Sequence, residues 1–252
     1  MKTNKLILIV AVMGALMSTA FYTQQDSITI YLVGDSTMAN KPGTPEENPE
    51  RGWGQLLPTF FKPSVKIENH AVNGRSSKSF ITEGRWKVVL EKLQSGDYVF
   101  IQFGHNDQKT ADSSRYTNPW TGYRRNLQKY VTETKAKGAY PVILSSIVRR
   151  KFNEQGTLVD THGAYPFVAR SVAEQMDVPF IDMQLLTEDY VIALGPDESK
   201  GTYLWVAPGE YDKFPEGKQD DTHLNLKGAT AYADLVISAI KAMKMPLESH
   251  LK

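Results

Sequence analysis

A chain of 252 residues with 29 basic against 28 acidic side chains has a formal net charge of +1, so no global field favours nucleic acid or an anionic membrane as its partner. The absence of cysteine excludes disulfides, a cysteine nucleophile, a thiolate metal site and a lipid-modified amino-terminal cysteine. With 41% hydrophobic residues the chain can bury a sizeable core, and no Pro/Gly/Ser linker, repeat or low-complexity tract divides it.

At the amino terminus Lys2 and Lys5 precede an apolar run over residues 6–17, and Ser18-Thr19-Ala20 offers small residues to a signal peptidase. This predicts a secretory signal peptide over 1–20, cut after Ala20, leaving 21–252 as one exported domain, periplasmic or extracellular, with no membrane association after cleavage. The run is short for a membrane span, and an uncleaved anchor is the lesser alternative. Without disulfides, such an exported domain depends on its core alone.

Apolar, β-branched runs over 28–33, 65–68, 98–103, 141–145 and 178–181 read as strands. They alternate with helical patterns over 85–93, 122–136, 164–176 and 227–243; the last carries Leu235, Val236, Ala239, Ile240 and Met243 at the spacing of a buried stripe. The alternation predicts an α/β chain, a three-layer α/β/α sandwich around a mainly parallel five-stranded sheet. Residues 197–217, rich in Gly, Pro and aromatics, read as a long irregular excursion of the kind that often carries function.

Val33-Gly34-Asp35-Ser36-Thr37 puts a serine on the turn that leaves the first strand, where open α/β sheets bind ligands. A helix starting just after Ser36 would aim backbone N–H groups at whatever the hydroxyl attacks. The same residues also suit a plain turn with Asp35 or Ser36 as helix cap. A serine nucleophile needs a base held in one tautomer and fixed donors for the oxyanion. Of five histidines, His223 alone follows a carboxylate at a useful spacing, in Asp220-Asp221-Thr222-His223 before the final helix. On a curved loop that carboxylate can turn back to Nδ1 and leave Nε2 facing the crevice; turn capping by Asp220 or Asp221 is the structural alternative. Gly74 and Asn106 follow the second and third strands and offer a backbone N–H and a side-chain amide, or else are ordinary turn residues.

Gly34-Asp35-Ser36, Gly74, Gly104-His105-Asn106-Asp107 and Asp220-x-x-His223 resemble, in order and spacing, the four blocks of the SGNH (GDSL-type) hydrolases. Residues 69–80 with Glu83-Gly84-Arg85, and Asp220-Asp221-Thr222-His223 followed by Lys227-Gly228-Ala229, look like the rhamnogalacturonan acetylesterase branch. The resemblance implies a flavodoxin-like fold, Ser36 as nucleophile, His223 as base and Asp220, not Asp221, as the orienting acid. It also implies an oxyanion hole made by the N–H groups of Ser36 and Gly74 with the Asn106 side chain, and chemistry that needs no metal or organic cofactor. The implied substrate is an O-acetylated plant cell-wall polysaccharide or oligosaccharide, with rhamnogalacturonan or another pectic chain first.

A sugar chain asks for aromatic faces and polar edges. Trp53 in Gly52-Trp53-Gly54, Trp120 after Pro119, and Trp205 with Tyr203 are the candidates, with burial in the core the alternative for each; Trp86 fits a helix core. Arg75 suits either a galacturonate carboxylate or a salt bridge that holds its loop. The rival functions are an acetylesterase on another glycan such as xylan, a lipid esterase or thioesterase, and a carbohydrate-binding protein without turnover. A metal site built from His105, Asp107, Asp220 and His223 is a further alternative, though no His-x-x-x-His pair supports it.

Overall fold

The structure is a computed structural model and describes residues 28–252. The expected signal peptide over 1–20 lies outside the described residues. Among the described residues no helix is long and apolar enough to cross a membrane.

All five expected strands form: β1 (Thr29–Gly34), then, after a two-residue strand β2 (Glu50–Arg51), β3 (Lys66–Asn69), β4 (Tyr98–Gln102), β5 (Tyr140–Leu144) and β6 (Phe180–Ile181). β1, β3, β4, β5 and β6 make one parallel sheet in the order β3-β1-β4-β5-β6. Successive side chains of a strand point to opposite faces, and here both faces are apolar. Ile30, Leu32, Phe100, Val142 and Leu144 enter one core, while Tyr31, Val33, Val99, Ile101 and Ile143 enter the other.

Each core is closed by helices. On the first face lie α1 (Trp53–Leu56), α6 (Met183–Glu198) and α7 (Leu226–Ala242); on the second lie α2 (Ser77–Thr82), α3 (Arg85–Lys92), α4 (Arg124–Ala136) and α5 (Ala164–Gln175). The three-layer sandwich expected from the alternation is therefore the observed fold. α7 follows the amphipathic pattern, burying Ala229, Ala233, Val236 and Ile240. α6 was not legible as a helix, because its apolar residues point both ways: Val191 is buried, whereas Leu185 and Ile192 stand more than half exposed.

The stretch 197–217 differs from the expected irregular excursion. After a 3₁₀ turn it forms β7 (Tyr203–Val206), which pairs antiparallel with β8 (Lys218–Asn225); β2 pairs with the other edge of β8. The result is a small second sheet, β2-β8-β7, whose central strand is too polar to read as a strand: Lys-Gln-Asp-Asp-Thr-His-Leu-Asn buries Leu224 alone.

Candidate active site

β1 and β4 run in register to their ends, Gly34 opposite Gln102, so both release the chain at the same edge of the sheet. That edge is where ligands gather in such folds. A Cβ on Gly34 would stand 2.9 Å from both Gln102 O and Met38 Sδ, so only glycine lets the chain turn here. The Met38 and Ala39 N–H groups both donate to Asp35 O, at 3.3 and 3.1 Å, and Asn69 Nδ2 donates to Met38 O at 2.8 Å. The segment after Ser36 is thus a single turn. This is the plain turn and not a helix, and the chain leaves it toward β2, with Trp53 N–H donating to Thr37 O at 3.0 Å. Ser36 is 9% exposed and faces a cleft of about 350 Å³ that Gly74, Asn106, Asp220 and His223 also line.

His223 comes to that cleft from the second sheet. Tyr203 pairs with Leu224 but Leu204 pairs with Asp220, so Asp221, Thr222 and His223 bulge out of the ladder. The bulge frees the N–H groups of Thr222 and His223, and Asp220 Oδ1 accepts both, at 2.9 and 3.0 Å. Its other oxygen, Oδ2, accepts from His223 Nδ1 at 2.8 Å, and His223 Nε2 lies 2.9 Å from Ser36 Oγ. Burial works to raise the Asp220 carboxyl, but the hydrogen bonds and charge of His223 outweigh it and hold Asp220 well below the usual carboxylate range. Asp221 turns the other way: its Oδ1 accepts from Arg150 Nε and from Trp205 Nε1, each at 2.8 Å.

Asp35 lies beneath the serine. Its Oδ1 accepts from Thr37 N and Thr37 Oγ1 at 2.9 Å, and its Oδ2 stands 3.4 Å from His105 Nδ1. Burial acts to raise Asp35; His105 and the Thr37 donors overcome it and leave the carboxyl below its ordinary range. Burial keeps the His105 imidazole below its ordinary range as well, and its ring packs edge-on against His162 at 4.6 Å between centroids. Gly74 takes φ +75° and lines the cleft. Asn106 is buried, with Nδ2 donating to Arg75 O at 3.1 Å, so one amide hydrogen fixes the side chain and the second remains for the cleft.

Of the expected substrate platforms, Trp53 is corrected by the structure. Trp53 is fully buried, with Nε1 donating to Gln102 Oε1 at 3.0 Å, so it packs under the Ser36 turn and offers no face to a sugar. Arg75 donates to Glu83 Oε2 at 2.8 Å and to Asn73 O at 3.0 Å, which makes it the loop salt bridge. Trp205 is held by Asp221 and covered by the Arg150 guanidinium, 4.8 Å from its ring centroid, outside the cleft. Trp120 is 55% exposed beside Phe167, also outside the cleft, and Trp86 is core as expected. The residues considered for a metal do not converge: Asp107 accepts from Ser77 and Thr117, and His105 faces Asp35. Among the described residues no group of three or more His, Asp or Glu side chains is arranged to hold a metal. Missed in the sequence were Glu50, Asn73, Lys109, Leu204, Lys213, Phe214 and Lys218, which complete the cleft wall. Only the position of Lys109, three residues after Asn106, hinted at this.

A serine, an imidazole and a carboxylate hydrogen-bonded in series at the carboxyl edge of a parallel sheet, with a glycine N–H and an asparagine amide beside them, define a hydrolase of the α/β/α sandwich class. The chain belongs to the GDSL-like lipase/acylhydrolase family, SGNH-type carboxylic ester hydrolases, whose family profile matches residues 32–231. It is 40% identical over 224 residues to the rhamnogalacturonan acetylesterase RhgT of Bacillus subtilis, covering 89% of this chain and 94% of that one. It is 32% identical over 245 residues to a rhamnogalacturonan acetylesterase of Emericella nidulans, with 90% of each chain covered. Among solved structures, the Bacillus subtilis protein YxiM superposes with a TM-score of 0.73 at 26% identity, over 87% of this chain and 58% of that one, so this chain spans little more than half its length. The acetylxylan esterase Axe2 of Geobacillus stearothermophilus superposes with a TM-score of 0.60 at 19% identity, over 85% of this chain and 94% of that one, a likeness of fold.

Proposed function

We propose that this chain is an exported serine esterase that removes acetyl groups from acetylated rhamnogalacturonan. The observation that carries the reading is the series Ser36 Oγ, His223 Nε2, His223 Nδ1 and Asp220 Oδ2, joined at 2.9 and 2.8 Å in an open cleft. The 40% identity to RhgT, spread over nearly the whole of both chains, supports the substrate. The charged side chains of Glu50, Lys109, Lys213 and Lys218 on the cleft wall support a sugar chain over a lipid chain as occupant. The leader-like residues 1–20 support export of 21–252 as one unit, which the amino-terminal mass of the secreted protein checks.

The reaction follows from the geometry. His223 Nε2 accepts the Ser36 proton as Oγ attacks the ester carbon, while Asp220 keeps the Nδ1 proton in place and balances the charge on the imidazolium. The carbonyl oxygen becomes an oxyanion facing the N–H groups of Ser36 and Gly74 and the free amide hydrogen of Asn106. His223 then returns the proton to the sugar oxygen, which leaves as an alcohol. Water, deprotonated by His223, attacks the acetyl-serine, and acetate departs with Ser36 restored.

The test is acetate release from acetylated rhamnogalacturonan, acetylated xylan and a small aryl acetate by the mature chain and by Ser36→Ala. Release from the pectic polymer that drops about 10³-fold or more in the variant is the expected result. Release that survives Ser36→Ala overturns the serine mechanism. Activity on xylan or aryl acetate without the pectic polymer overturns the substrate.

A further inference from the structure

Three lysines line the Ser36 cleft and a fourth lies behind it, and all but one are met by carboxylates. Lys41 Nζ lies 2.8 Å from Glu50 Oε1 and 2.7 Å from Asn73 Oδ1. Lys213 Nζ lies 3.7 Å from Glu50 Oε2, and Lys218 Nζ 3.9 Å from Asp220 Oδ2. Lys109 lines the cleft on the side of Asn106 and Gly74, and among the described residues it forms no ion pair.

The charged groups around Lys109 leave its positive charge uncompensated. Arg149 and Arg115 are its cationic neighbours, and Asp112 and Asp35 its anionic ones. Asp112 is already committed to Arg115, at 2.5 Å from Oδ2 to Nε, and Asp35 is turned inward to Thr37 and His105. The Arg115 guanidinium also stands within 3.6 Å of the place a Gly74 side chain would begin. Arg149 reaches only neutral acceptors, Gln108 Oε1, Thr161 O and Oγ1, and His105 O. Burial, then these cations, push the Lys109 ammonium below the usual lysine range. In a chain of net charge +1 this is a local excess that an anion would relieve.

An acetyl ester carries no charge, so this excess is placed for another part of the substrate. We infer that Lys109 binds the carboxylate of a uronic acid residue of the acetylated glycan, and so makes the cleft prefer acidic over neutral acetylated glycans. The inference rests on the polysaccharide-esterase reading of the cleft. An ammonium on a flexible stem suits this role, because a carboxylate carried on a sugar ring approaches over a range of positions.

The test compares wild type, Lys109→Met and Lys109→Arg on acetylated galacturonate-containing oligosaccharides, acetylated xylo-oligosaccharides and an aryl acetate. The acidic-to-neutral ratio of kcat/KM is expected to fall about tenfold in Lys109→Met through KM, and to recover in Lys109→Arg. Added salt raises the wild-type KM for the acidic substrate and leaves that of Lys109→Met nearly flat. An equal loss on all three substrates makes Lys109 a general aid to the oxyanion and overturns the inference, as does an unchanged ratio. A separate readout is inhibition of aryl acetate hydrolysis by galacturonate oligomers without acetyl groups, expected to weaken about tenfold in Lys109→Met. A wild type that acts on no acetylated glycan overturns the proposed function, and this inhibition still decides Lys109: inhibition equal in wild type and Lys109→Met overturns the inference.

Discussion

Replacing Asp220 by asparagine perturbs the far end of the hydrogen-bonded series and leaves the backbone it organises in place. Asp220 Oδ1 accepts the N–H groups of Thr222 and His223, and an amide oxygen can accept both. At the other position, 2.8 Å from His223 Nδ1, an amide NH₂ presents hydrogens where the carboxylate presented a lone pair. The pair is satisfied only if Nδ1 becomes the acceptor, which moves the ring proton to Nε2, against Ser36 Oγ at 2.9 Å. In that tautomer His223 cannot take the serine proton. The expected loss is about 10⁴-fold in kcat, about 5 kcal/mol of barrier at about 1.4 kcal/mol per decade. The assay is steady-state hydrolysis of an aryl acetate, with thermal unfolding alongside to show that the fold is kept. Asp221→Asn is the matched control, because Asp221 serves Arg150 and Trp205: kcat is kept, and since its carboxyl is 42% exposed, stability drops by only about 1 kcal/mol. An Asp220→Asn enzyme within about tenfold of wild type, or a rate loss that appears in Asp221→Asn instead, refutes the reasoning.

Asn106→Ala removes one oxyanion donor and is expected to lower kcat about 10²- to 10³-fold on the aryl acetate, with near-normal turnover placing Asn106 outside the site. Asp107 is fully buried, and burial pushes its carboxyl up to about 6 against the donors Ser77 and Thr117. Its folded pKa thus lies above the unfolded value near 3.9, so its contribution to stability is greatest below about pH 4 and declines as pH rises through about 6, by about 3 kcal/mol in all. The stability difference between wild type and Asp107→Asn, from denaturant unfolding at several pH values, should shrink across that window; a flat difference refutes the assignment. Gly52→Ala would place a Cβ 2.3 Å from Ala39 O and is expected to cost about 2 kcal/mol or more and to lower kcat with it, read by thermal unfolding and rate; wild-type behaviour refutes the close approach.

The parallel sheet was legible because its strands are buried on both faces and read as continuous apolar runs, as at Ile30 to Val33. The residues brought to one cleft, Ser36, Gly74, Asn106, Asp220 and His223, were legible through short blocks whose spacing is set by strand ends. The small sheet was not. β2 has two residues and β8 is polar along almost its whole length, so neither carries an alternating apolar signal. Trp53 failed as a platform for a related reason: a tryptophan beside glycines suits an exposed turn and a tight buried one equally, and here Gly52 and Gly54 let Trp53 sink beneath the Ser36 turn. The lysines of the cleft come from two separate stretches, Lys109 from one and Lys213 with Lys218 from the other, and only the fold gathers them.

That the serine and its base stand on different sheets places a demand on the segment between them. Ser36 follows β1 of the large sheet, whereas Asp220 and His223 ride on a bulge of β8. Residues 37–53 tie the two together: Trp53 N–H donates to Thr37 O, Trp53 Nε1 reaches Gln102 at the end of β4, and β2 just before it pairs Arg51 with Leu224, the residue after His223. A second tie runs from Arg150 N–H to Asp221 O, at 2.8 Å, inside the bulge itself. Ser36 and His223 are therefore held 2.9 Å apart by buried backbone contacts as well as by their own hydrogen bond. Such preorganisation keeps the base aligned when the serine proton moves and the hydrogen bond between them is remade. Trp53, which the sequence offered as a sugar platform, acts instead at this junction.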